Sequence, residues 1–248
     1  MIMRNRASLA ACVSAIVAGV VAAQAGAADK PALTGMWLVE KPQAELKTID
    51  GKAPPLKPEA AKLYAERKAA KASGKKTDEV HTDPVGICLP HGVPRLLNAK
   101  QPILILQKPK QVTVMYQANH QSRQFYLDDP IPTADNMPDP NYDGYSSAKW
   151  DGNALIVNTY GLNALTWMDD AGMPHGEKLT VVERYELTAP DTLRVKLTLT
   201  DPETFTAPWD AQLTYKRQPN LRFKEDVCAE KLWNPPSSSA KAQAEKGS

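Results

Sequence analysis

Residues Thr192–Thr200 alternate without a break: Leu193, Val195, Leu197 and Leu199 fall on one side, Arg194, Lys196, Thr198 and Thr200 on the other. A period of two is the signature of a half-buried strand. Looser versions of the pattern mark strands at 33–40, 103–107, 111–117, 123–128, 154–160, 178–187 and 211–217. Only one segment breaks into helical periodicity. Pro58 suits a first helical turn, the run continues to about Ala72, and Ser73-Gly74 stops it. Its stripe of Leu63, Arg67 and Ala70 is only mildly apolar, which predicts a solvated helix lying across a sheet. Residues 41–56 read as a Pro- and Lys-rich connection, and 86–97 are too rich in Pro and Gly for a regular element. Residues 128–149 are Pro- and Asp-rich and aperiodic; a connection of that length predicts a lid or binding loop. Short strands punctuated by turns, with one peripheral helix, define an all-β protein, an antiparallel β-barrel.

Composition places the chain in a compartment. Arg4 and Arg6, an apolar run from Leu9 to Ala23 and the small residues Ala25-Gly26-Ala27 have the layout of a signal peptide, residues 1–27, cleaved before Ala28. Residues 28–233 then make one domain, and 234–248, built of Pro, Ser, Ala, Lys and Glu, hold too little apolar surface to fold. Periplasmic or secreted localisation follows. Cleavage discards Cys12 and leaves Cys88 and Cys228, an even pair in an oxidising compartment, which predicts one disulfide. Cleavage also removes Arg4 and Arg6, leaving 28 basic residues against 28 acidic ones. That balance argues against nucleic acid or an anionic membrane as partner. No later segment approaches the roughly 20 apolar residues of a membrane span.

Two resemblances sharpen the expectation. Gly35-x-Trp37, opening the first strand, resembles the start of lipocalin and calycin barrels. That resemblance implies an aromatic plug at the barrel base beneath a late-strand basic residue, here Lys216 or Arg217. Cys88-Leu-Pro-His-Gly-Val-Pro-Arg95, Arg123-Gln-Phe-Tyr-Leu-Asp128, Trp150-Asp-Gly-Asn-Ala-Leu-Ile-Val157 and residues 167–184 together resemble an uncharacterised family of exported bacterial proteins. Kinship with that family transfers no chemistry.

The candidate chemistry starts from one misplaced charge. In the strand at 178–187, Leu179, Val181, Glu183, Tyr185 and Leu187 share a face. A carboxylate on an apolar face costs several kcal/mol unless it is paired, protonated or used. His175 and Asp169 lie in the turn that feeds this strand. In 123–128 alternation turns either Arg123 or the pair Tyr126 and Asp128 inward; an arginine would keep Glu183 ionised, an aspartate would raise its pKa. Glu183, His175, Arg123, Tyr126 and Asp128 are therefore the candidate catalytic set, and a buried ion pair is the structural alternative. Trp167, Tyr185, Trp150, Tyr160 and Asn158 are the expected guest-binding residues.

Several chemistries lack their sequence marks. Asp139-Pro-Asn141-Tyr-Asp143-Gly144 opens like a calcium loop, but its twelfth position is Trp150 and no helices flank it. His81, His91, His120 and His175 show no metal-ligand spacing, there is no G-x-S-x-G elbow, and no glycine-rich loop cradles a nucleotide. No metal and no cofactor are expected. A barrel of about eight strands has room for one small ligand, and the five tryptophans and eight tyrosines favour a small aromatic or otherwise hydrophobic one. Two functions fit: a cofactor-independent lyase or isomerase using side-chain acid–base chemistry, or a non-catalytic periplasmic carrier of lipocalin type. Strand order and oligomeric state leave no mark in the sequence.

Overall fold

The computed structural model describes residues 30–74, 78, 81–132, 134–228 and 230. The signal peptide at 1–27 and the tail at 234–248 expected from sequence lie outside the described residues. The alternating segments form β1 (Gly35–Val39), β2 (Ile103–Lys108), β3 (Gln111–Tyr116), β4 (Ser122–Leu127), β5 (Tyr145–Asp151), β6 (Ala154–Tyr160), β7 (Thr180–Ala189), β8 (Thr192–Thr200) and β9 (Trp209–Arg217). Each strand pairs with its neighbour in sequence, and β9 returns to β1 through Trp37↔Arg217 and Val39↔Tyr215, so the sheet closes. Closure leaves no edge to aggregate on. The result is a nine-stranded closed barrel with the helix α1 (Pro58–Ser73) outside its wall sequence.

Trp37 plugs one end. Its ring lies 4.1 Å beneath the Arg217 guanidinium, and its Nε1 donates to Leu33 O at 2.9 Å. Arg217 donates in turn to Thr34 O at 2.7 Å and Ala32 O at 3.0 Å. Gly35 has φ +145°, which side chains rarely adopt, and a Cβ there would meet the arginine Nη1 at 2.6 Å, so a substitution would be strained and would push the guanidinium aside. Of the two basic residues that the Gly-x-Trp resemblance implied, Arg217 takes the place.

Two expectations change. Residues 145–149, read as part of the connection 128–149, belong to β5, one strand more than the eight expected. It pairs with β4 in parallel, Phe125↔Ser146 through Leu127↔Ala148, while every other pair is antiparallel. Parallel neighbours need a crossover of a dozen or more residues, and residues 128–144 supply it, with a 3₁₀ turn at Ala134–Asn136 among the described residues. The helix α1 (Pro58–Ser73), ended by Gly74 in the left-handed region, buries no residue. Its ties run to the loop ahead of β7 rather than across the sheet: Tyr64 Oη donates to Asp169 at 2.8 Å, and Arg67 to Gly172 O at 3.2 Å.

The disulfide forms as predicted, Cys88 to Cys228 across 140 residues of chain, with Cα atoms 5.6 Å apart. Such a bond points to an oxidising, exported environment. No helix among the described residues is long and apolar enough to cross a membrane.

Candidate functional site

Inside the barrel, alternation aims Arg123 of β4, Ser146 of β5, Thr159 of β6 and both Glu183 and Tyr185 of β7 at one point. Glu183 is fully buried and Arg123 nearly so. The arginine forks onto the carboxylate, Nη1 to Oε2 at 3.0 Å and Nη2 to Oε1 at 2.6 Å. Thr159 Oγ1 donates to Oε1 at 2.8 Å, and Tyr185 Oη to Oε2 at 2.6 Å. The Arg123 Nη2 also reaches Ser146 Oγ at 3.0 Å and Thr159 Oγ1 at 2.7 Å. Four donor contacts converge on one carboxylate, which is what a charge taken out of water requires. Burial alone would favour a neutral guanidinium, but the charge and hydrogen bonds of Glu183, with Tyr116 and Tyr185 beside it, together outweigh burial and hold the Arg123 pKa well above its ordinary value. Burial, reinforced by the same charge, pushes the Tyr185 phenol well up, so it stays a donor.

The other expected site residues lie elsewhere. Tyr126 points outward and is 45% exposed, and Asp128 is exposed at the end of β4. Once Arg123 turns in, alternation forces both out. His175 is buried in a different network: its Nδ1 faces Gly176 O at 3.0 Å and its Nε2 faces Thr166 Oγ1 at 2.9 Å. A carbonyl can only accept, so Nδ1 carries the proton and Nε2 accepts from the threonine. Burial depresses the His175 pKa and keeps the ring neutral. Asp169 organises the same loop, accepting from the N–H groups of Ala171, Gly172 and Met173 at 2.9–3.0 Å. These side chains build a loop rather than a dyad with Glu183.

Among the expected guest contacts, Tyr185 belongs to the Glu183 network. Trp167 is buried beneath two guanidiniums, Arg67 at 5.1 Å and Arg95 at 5.9 Å, on the floor of a separate cavity of about 420 Å³. Trp150 is half-buried against the core beside Lys30, and Asn158 is half-buried. Where an interior guest cavity was expected, Trp37, Tyr116, Phe125, Tyr185 and Tyr215 occupy the space, each no more than 1% exposed.

A larger cavity, about 910 Å³, lies on the outer side of the wall, under the crossover from β4 to β5. It exists because the parallel pairing begins only at Phe125↔Ser146: the first half of β4 has no partner on that side, and the crossover arches over the step. Tyr145 and Tyr160, cross-strand partners with ring centroids 6.2 Å apart, form one wall; Tyr126, Pro130 and Ile131 form another. Ser147 Oγ donates to Asp129 O and ties down one end of the crossover, and Tyr145 Oη donates to Asp139 O at 3.3 Å. Asn141 Oδ1 accepts from Asp143 N at 3.1 Å, and Asp143 Oδ1 from Gln121 Nε2 at 2.8 Å. The calcium-like motif thus serves as a turn, and no group of three metal-ligating residues occurs among the described residues. Of the expected binding residues, Tyr160 lines this cleft, and Tyr126, expected to be catalytic, does too.

Sequence reasoning missed Ser146, Thr159 and Tyr145. Thr159 was legible, sharing the inward face with Leu155 and Val157. Ser146 and Tyr145 were hidden in residues read as loop.

No protein family matches the chain, and no curated protein does. Solved structures to which the chain is similar include a secretory abundant heat soluble protein from Ramazzottius varieornatus, at 11% identity over 75% of this chain and 95% of that one with a TM-score of 0.35. A mutant of the fluorescent protein UnaG is similar at 13% identity over 75% and 96%, TM-score 0.34. The barrel assignment rests on the strand pairing itself.

Proposed function

We propose that this chain is an exported, non-catalytic carrier of a small aromatic or hydrophobic molecule, held in the outer cleft between the β4–β5 wall and its crossover. The observation that carries the reading is the cleft itself, a tyrosine- and proline-walled space of a size that suits a small ligand. The state of Glu183 favours binding over turnover: both of its oxygens are engaged by donors, and a general base must reach the proton it removes. The Arg123–Glu183 pair then serves as a rigid interior post behind the cleft, to which Arg123 and Ser146 contribute lining atoms.

The test is calorimetric titration of the mature protein with a neutral aromatic probe, 2-naphthylmethanol, followed by mass spectrometry of the recovered probe. Saturable binding that weakens about tenfold in Tyr160→Ala, roughly the loss of one buried aromatic contact, with the probe recovered unchanged, supports the carrier. Conversion of the probe that disappears in Glu183→Gln would instead restore the lyase or isomerase reading.

A further inference from the structure

The charge around the cleft is one-sided. Residues 124–148 contain Asp128, Asp129, Asp135, Asp139 and Asp143 and not one Lys, Arg or His. Of these, Asp129 and Asp143 line the cavity with the three tyrosines. Among the described residues the only cationic side chain that lines it is Arg123, whose two terminal nitrogens are committed to Glu183. Asp143 feels that guanidinium at longer range and takes a single side-chain hydrogen bond, from Gln121, yet burial outweighs both and leaves its carboxyl less acidic than usual. Asp129 and Tyr160 line the same cleft, and the Asp129 charge adds to burial in raising the Tyr160 phenol. Among the described residues neither Asp129 nor Asp143 forms an ion pair.

Aromatic faces attract cations through the ring quadrupole, and a desolvated carboxylate gains from an opposite charge that enters with the guest. Resting on the carrier reading above, we infer that the cleft selects a cation: a small aromatic ammonium whose charge is drawn in by the carboxylates of Asp129 and Asp143 while its ring lies against the tyrosines that share the lining, Tyr126, Tyr145 and Tyr160. The two halves of the guest match two parts of the lining. The prolines and Ile131 of the crossover cover the apolar part, and the aspartates at its two ends meet the charge. An anionic guest would face two carboxylates with no free cation to offset them.

The experiment uses three probes of one shape at pH 7 and low salt: 2-naphthylmethylamine as its ammonium, 2-naphthylmethanol and 2-naphthoate, each titrated calorimetrically into the mature protein. The ammonium is expected to bind at least about tenfold more tightly than the alcohol, the naphthoate more weakly than either, and the preference to shrink as salt rises. Asp129→Asn, on the exposed crossover, is expected to remove most of the ammonium preference, weakening the ammonium far more than the alcohol. Asp143→Asn is expected to do the same, with unaltered circular dichroism showing that the fold is kept. Equal affinities for ammonium and alcohol would overturn the cationic inference and leave the carrier standing. Failure of all three probes to bind would overturn the cleft as a site, and both readings with it.

Discussion

Glu183 shows how far one residue can be read from its neighbours. Its inward position followed from alternation with Val181 and Tyr185, and the cost of burying a lone carboxylate required a partner. Which partner was undecided because either face of 123–128 could turn in. The deciding quantity is apolar area: Phe125 shares Arg123's face and is fully buried, whereas Tyr126 and Asp128 can stay in water. The pair now sits in a low-dielectric interior, where a missing partner costs more than a missing pair. Glu183→Gln and Arg123→Met are each expected to destabilise the barrel by about 3–5 kcal/mol, because each strands the other member. The double change Arg123→Met with Glu183→Leu should recover most of that loss, since it buries no charge at all. Urea denaturation of the three variants checks the order; additive losses would show that the two charges act independently.

Among the elements, β5 escaped detection because its inner face opens with Ser146 and Ala148, small residues that leave Trp150 alone to carry the signature of a strand. Its place is set by pairing on both sides, a tertiary effect that no window of residues 145–151 contains. Missing it also hid the cleft, whose wall is that strand and whose roof is the crossover. Gly144 is the hinge between them. Its φ is +65°, and a Cβ there would lie 2.6 Å from the Tyr160 carbonyl. Gly144→Ala must therefore meet about 1–2 kcal/mol of left-handed strain and also push β5 off β6. Gly152 is the control, with φ +56° and open space around it, so Gly152→Ala meets the strain alone. Thermal unfolding should place Gly144→Ala clearly below Gly152→Ala, and only the former should weaken probe binding. Equal melting temperatures would mean that the contact with Tyr160 relaxes freely.

At the scale of the whole molecule the disulfide with the oxidising environment it points to, the helix at 58–73 and the closed barrel were legible, because they follow from cysteine number and period. The packed interior was not. Large aromatic side chains on inward positions are compatible with a filled barrel or a lined cavity, and only their mutual packing decides. Here Tyr116, Tyr185 and Tyr215 fill the centre, and burial raises all three phenols above their ordinary range. Tyr185 donates to Glu183 at 2.6 Å, and Tyr215 donates to the Leu97 carbonyl. A phenolate at either place would lose that bond, and at Tyr185 it would face a carboxylate. The sign of the linkage follows. Below the ordinary tyrosine value of about 10 both states hold these protons and stability does not change on their account. Above it the unfolded chain releases protons that the native barrel retains, so stability falls as pH rises. The barrel should therefore unfold cooperatively at alkaline pH, with the phenolate absorbance of these three tyrosines appearing in step with the loss of far-ultraviolet circular dichroism. Tyr116→Phe should move that transition to higher pH by removing one of the three titrating groups while keeping its ring. Smooth ionisation of all eight tyrosines with the dichroism intact would mean that water reaches the centre, and that the interior is open enough to hold a guest after all.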